Sequence, residues 1–223
     1  MLNENEQRTN SYYRFISWTL IALSILANAG MAHHPRISAS QPEAQIEQMA
    51  QIAGLTMHVH GLLSLVVLVY VWLFALYAAA KNTPIVWLGS GVFAAGGLAM
   101  TGAALISGFL APAMLLGAEI NTAEQVAIFK FQSRLLMEAN QVLANAAAFA
   151  WLCAVICWSS NLVRDNKFFR WVGFAGLLMG GTSLCVVATG NWVLNVKGMS
   201  LFVLIISLWF CALACCLLWN SRR

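Results

Sequence analysis

Charge is scarce in this chain. Only 9% of its 223 residues are charged and 61% are hydrophobic, whereas a soluble domain carries about 25% charged residues. That deficit excludes an ordinary soluble globular protein. Short alternating apolar segments are missing as well, which excludes a transmembrane β-barrel. There is no phosphate-binding glycine loop and no His-Glu-x-x-His helix, so two common catalytic frameworks are absent. Histidine is nearly absent too. All four imidazoles fall in two clusters, Met31-Ala-His33-His34 and Met57-His58-Val-His60.

What the chain has is apolar length. Continuous runs recur at Phe15–Ala32, Leu55–Ala80, Ile85–Phe109, Glu138–Ser160, Phe168–Gly190 and Gly198–Trp219. Each is near the ~20 residues a helix needs to cross a bilayer. The expected fold is an all-α integral membrane protein of six transmembrane helices, one bundle domain spanning residues 1–223. The net charge of +4 calls for no nucleic acid, because it follows from where the basic residues fall. With a cytoplasmic N-terminus, Arg8, Arg14, Lys81, Arg164, Lys167, Arg170, Arg222 and Arg223 lie inside. Arg36, Lys130, Arg134 and Lys197 lie outside. Eight against four obeys the positive-inside rule, so both termini are expected in the cytoplasm and both histidine clusters outside. A rival reading takes the first run as a signal peptide, with cleavage after Ala29 or Ala32.

Spacing suggests a duplication. Trp87-Leu-Gly89 with Gly96-Gly97 matches Trp171-Val-Gly173 with Gly180-Gly181 at the same intervals. Spans two–three and four–five thus read as parallel copies of one helical hairpin. Such glycines let helices approach closely in lipid. All six cysteines lie inside apolar runs, where thiols behave as small hydrophobes.

The outer loops read as folded. Ser40-Gln-Pro42-Glu43 has capping-box spacing with proline in the first turn, so a short surface helix is expected from there to Gly54, lid-like between the histidine clusters. Thr122-Ala-Glu-Gln125 opens a second helix that can run unbroken to Ser160. Along it Lys130, Arg134, Glu138, Gln141 and Asn145 share one face. Polar groups at membrane depth usually face the bundle interior. Either they fix helix packing, or they wall an outward cavity that Asn191 and Asn195 extend.

Neutral imidazole is the commonest metal ligand and suits zinc, copper and iron. The candidate ligands are His33, His34, His58 and His60, with Met57 and Met31 as soft thioethers that favour copper over zinc. His58 and His60 are two apart and diverge on a helix, so one ligand from each cluster is the easier geometry. Haem with one histidine from each of spans one and two is the competing cofactor. A serine nucleophile at Gly89-Ser90-Gly91 is rejected, because every histidine lies at the opposite membrane face. A metal-free membrane subunit or small-solute carrier is the alternative function. Expected partners are the lipid bilayer and, within it, another membrane protein or a second copy.

His34-Pro35 after the first run, His58 or His60 opening the second, and Ser107-Gly108-Phe109 ending the third form a further pattern. In these short motifs the chain resembles uncharacterised bacterial six-helix inner-membrane proteins. The resemblance implies the six-helix architecture and an inner-membrane location, and supplies no reaction.

Overall fold

The computed structural model describes residues 4–36, 38–118, 121–165, 167–190 and 194–221. Among the described residues there are seven α-helices: α1 (Glu4–Ala32), α2 (Pro42–Lys81), α3 (Pro84–Leu105), α4 (Ala111–Leu116), α5 (Ala123–Leu162), α6 (Lys167–Ala188) and α7 (Val196–Asn220). A π-helical turn, Ile106–Leu110, joins α3 to α4. Six helical segments are long and apolar enough to span a membrane: Asn10–Ala32, Glu43–Lys81, Pro84–Leu116, Ala123–Leu162, Phe168–Ala188 and Val196–Asn220.

Two of these segments are far longer than a bilayer requires. Both α2 and α5 have 40 residues, or about 60 Å at 1.5 Å per residue. The expected break at Gly54 does not occur. A helical glycine costs only about 1 kcal/mol relative to alanine, and strong helix formers flank it on both sides. Ser40 does not cap α2 either; the N-cap is Gln41 and makes no side-chain cap bond, with Pro42 supplying the preset first turn. The capping box of α5 is present, with Thr122 Oγ1 accepting from the Gln125 amide and Gln125 Oε1 accepting from Thr122 N–H.

The core follows from aromatic side chains seated on glycines. Trp151 and Trp158, seven apart on α5, lie over Gly96 and Gly89, seven apart on α3. A Cβ at Gly96 would stand 2.6 Å from Trp151 Cδ1, and one at Gly89 would stand 2.8 Å from Trp158 Nε1. The indoles donate to the Phe93 and Val86 carbonyls at 3.2 and 3.3 Å. This satisfies polar groups that lipid cannot. Phe74 stacks on Trp158 at 4.0 Å between centroids and meets Phe93 and Phe210 at 4.9 Å. Around this cluster α1 lies along α7, α5 against α6, and α2 against both α1 and α3.

One end of the bundle is clamped by polar contacts between helix termini. Lys81 Nζ is 2.7 Å from Asp165 Oδ2, and Arg14 donates to the Ser221 carbonyl. Arg222 and Arg223 lie outside the described residues. At the opposite end, the first turns of α2 and α5 extend beyond the bundle and meet α4. Met49, Ala53, Leu115 and Phe129 form a second small core there. This cap encloses the candidate site.

Candidate functional site

The site is organised by a proline. Pro112 cannot donate to the carbonyl four residues back, and its ring crowds that carbonyl. The backbone answers with a π turn, a feature frequent at functional sites. Ala111 N–H bonds to Ile106 O, five residues earlier, and the helix then continues to Leu116 instead of ending at Phe109. The turn carries Gly108 against His60. A Cβ at Gly108 would clash with His60 Cβ and stand 2.7 Å from its Cγ. Ser107, beside it, donates to Asn140 Oδ1 of α5 at 2.7 Å. The Ser-Gly-Phe motif is therefore a seat for one imidazole.

That imidazole faces another. His34, just past α1, and His60, inside α2, meet with Nε2 atoms 3.2 Å apart and ring planes inclined by 69°. His60 is 5% exposed. Each Nδ1 is held by a backbone carbonyl, His34 by Pro35 O at 2.9 Å and His60 by Thr56 O at 2.8 Å. A carbonyl only accepts, so each Nδ1 carries a proton; when both rings are neutral, each presents an Nε2 lone pair to the other. Burial pushes His34 below the ordinary histidine range; the Pro35 carbonyl opposes this, and Arg36 adds to the lowering. In that neutral form two acceptors converge 3.2 Å apart.

The other expected ligands go elsewhere. His33 and His58 are exposed, and each turns its Nδ1 back onto a helix carbonyl, Ala29 O and Gly54 O. Met57 is 43% exposed, whereas Met31 is 6% exposed and lines the same cavity as the histidine pair. The helix period turns His58 and His60 of α2 to different sides, and the chain leaving α1 separates His33 from His34. Among the described residues, no group of three His, Cys, Asp or Glu side chains is placed to hold a metal. The six cysteines are free, and none lines the cavities. Ser90 is buried and donates to Phe74 O, which occupies the hydroxyl of the Gly-Ser-Gly motif.

Two cavities meet at the pair. The inner chamber, about 350 Å³, is lined mainly by apolar and aromatic side chains, including Tyr70, Phe93, Trp151 and Phe210. It ends on the aromatic core. The outer vestibule, about 670 Å³, reaches Arg36 and Lys197. His34, His60, Ser107, Met137, Asn140 and Asn195 line both cavities and form the neck between them. Of the polar stripe on α5, Gln141 lines the chamber and donates to Asn145 Oδ1 at 3.0 Å. Arg134 and Glu138 are exposed and line neither cavity. Asn191 lies outside the described residues. Sequence reasoning passed over Asn140, one position before the stripe member Gln141. The signal was the Glu138-Ala-Asn140-Gln141 run opening the fourth span, opposite Ser107.

Comparison with protein-family models, with curated proteins and with solved structures finds no match for this chain. The function therefore rests on the site.

Proposed function

We propose that this chain is a transition-metal protein of a bacterial inner membrane, with copper first and zinc second, held by His34 and His60 at the neck. The role is metal handling or metal-dependent membrane chemistry. The observation that carries this reading is the pair of facing Nε2 atoms, 3.2 Å apart, with both Nδ1 atoms on backbone carbonyls. Two neutral acceptors so placed repel one another, and a cation between them turns repulsion into ligation. Carbonyl contacts on the remote ring nitrogen are the usual way proteins orient metal-binding imidazoles.

The separation favours one coordination geometry. Metal–nitrogen bonds of about 2.0–2.1 Å across 3.2 Å subtend roughly 100° at the ion. That is close to tetrahedral and calls for further ligands. The donors that line the same cavity and are not exposed are the Met31 thioether and the Asn140 amide oxygen. Six of the nine methionines line the two cavities: Met31, Met100, Met137 and Met199 the chamber, and Met49, Met114 and Met137 the vestibule. Thioethers are soft, which sets Cu(I) ahead of zinc. Haem fits poorly. A macrocycle needs its axial nitrogens in line on opposite faces, and rings inclined by 69° with nitrogens 3.2 Å apart leave no slot for it.

The orientation belongs to the same reading. The eight-to-four split of basic residues in the sequence supports cytoplasmic termini and a vestibule open to the outside. The duplication is supported by the equal lengths of α2 and α5, 40 residues each, although the third span runs on to Leu116 and is longer than α6. Metal content of the purified protein tests the function. Wild type and the His33→Ala/His58→Ala variant should carry one copper per chain after Cu(I) loading and desalting, and His34→Ala/His60→Ala none. Equal copper in all three would remove the assignment.

A further inference from the structure

The metal reading leaves two features unused, the charge of the vestibule and the size of the chamber behind it. Arg36 and Lys197 both line the vestibule, and no carboxylate does among the described residues. Neither cation has an ion-pair partner there, since the ion pair among the described residues is Lys81–Asp165 at the far end. A cavity with two unpaired cations and no acid attracts anions. The chamber beyond the neck has the opposite character. Its walls are apolar, its floor is the Phe93–Phe210 aromatic cluster, and at about 350 Å³ it lies within the roughly 300–1,000 Å³ typical of ligand pockets. Two hydroxyls add polar contacts. Ser133 Oγ in the vestibule and Ser64 Oγ in the chamber are buried without a hydrogen-bond partner among the described residues. A buried polar atom left so costs free energy that a ligand can restore.

Charge outside, a polar neck and an apolar chamber walled by aromatic side chains match one kind of molecule. We propose that vestibule and chamber together bind an amphiphile with one anionic head and one apolar tail. The head lies against Arg36 and Lys197, and the tail passes the His34–His60 neck into the chamber. The site does not depend on the metal. Free single-chain acids and anionic phospholipids share the required chemistry, an acyl chain beneath an anionic group.

The test uses the full chain, stripped of metal with chelator, in phosphatidylcholine nanodiscs. Radiolabelled hexadecanoate and hexadecan-1-ol are titrated in parallel, with inorganic phosphate and phosphatidylglycerol as competitors. Hexadecanoate should bind saturably at one per chain and at least about tenfold more tightly than the alcohol, the worth of one charge-assisted hydrogen bond. Arg36→Gln/Lys197→Gln should erase that preference while leaving alcohol binding unchanged. Ala104→Phe, which fills the chamber wall, should exclude both probes. Displacement by phosphatidylglycerol would identify the bilayer as the source of the ligand; its failure to compete would identify a free single-chain acid. Equal affinity for acid and alcohol in wild type would overturn the proposal without recourse to any variant. Displacement by inorganic phosphate with Ala104→Phe still binding hexadecanoate would also overturn it, since the tail would then be idle. Because the protein is metal-free throughout, failure here leaves the copper result standing, and the reverse holds too.

Discussion

Replacing Gly108 by alanine should damage the metal site without touching a ligand. The new methyl group would stand 2.7 Å from His60 Cγ, whereas carbon atoms pack at about 3.5–4.0 Å. One side must retreat by roughly 1 Å. The neighbour is not the loose end of a flexible chain; it is the root of a ring held by Thr56 O and buried against the π turn. Helix α2 or the π turn must therefore shift, at the 1–3 kcal/mol typical of overpacking. The His60 ring would be carried away from His34, beyond the reach of a shared ion. Gly91→Ala is the matched control, because a Cβ there meets nothing within 4 Å. It should be neutral or stabilising, as alanine is favoured over glycine in a helix by up to about 1 kcal/mol. Thermal unfolding in detergent and Cu(I) affinity by competition with a chromogenic chelator would be measured on both variants. Gly108→Ala should unfold at lower temperature and lose Cu(I) affinity, with Gly91→Ala unchanged in affinity. If Gly108→Ala binds Cu(I) as tightly as wild type, the seat described for His60 is wrong.

Further outcomes follow from the same geometry. Met31→Leu should weaken Cu(I) more than zinc, while Met57→Leu should alter neither, because Met57 is exposed and Met31 lines the cavity; parallel competition titrations would separate them. Since burial favours the neutral form of His34, the ring stays deprotonated through the ordinary histidine range near pH 6.5. Cu(I) loading should then persist at pH 6.5 and be lost only as pH falls further, with His60, Arg36 and Lys197 the neighbouring groups; copper retained fully at pH 4 would contradict this. Asp165→Asn should lower stability by less than about 1 kcal/mol, because its ion pair with Lys81 is partly exposed; a larger loss in unfolding experiments would show that the clamp matters more. Cysteines introduced at Ser40 and Asn121 should label from outside intact cells, and exclusively cytoplasmic labelling would reverse the topology.

Much of the fold was legible because bilayer crossing has a simple signature. Six apolar runs of about the right length admit few arrangements, and the Thr122–Gln125 capping box marked the start of α5 to the residue. Helix continuity was harder to read. Gly54 resembles a stop, yet one glycine is a small penalty in a 40-residue helix. Pro112 also resembles a stop, but the π turn absorbs it and the third span runs on. At the site, both histidine clusters were visible in the sequence, as was the difficulty of using both members of one. Which member turns inward depends on helix phase relative to α3, which composition does not encode. The choice of Met31 over Met57 follows from the same phase. The neck and its two cavities arise from side chains on α2, α3, α5 and the segment before α7, and no local pattern announces them.

X-ray absorption at the copper edge of Cu(I)-loaded protein addresses the central claim most directly. Ligation by His34 and His60 gives two imidazole nitrogens at ~2.0 Å together with at least one sulfur scatterer at ~2.3 Å, typical bond lengths for such ligands, and loss of the imidazole scattering in His34→Ala/His60→Ala. A spectrum without imidazole, or one unchanged in that double variant, would contradict it.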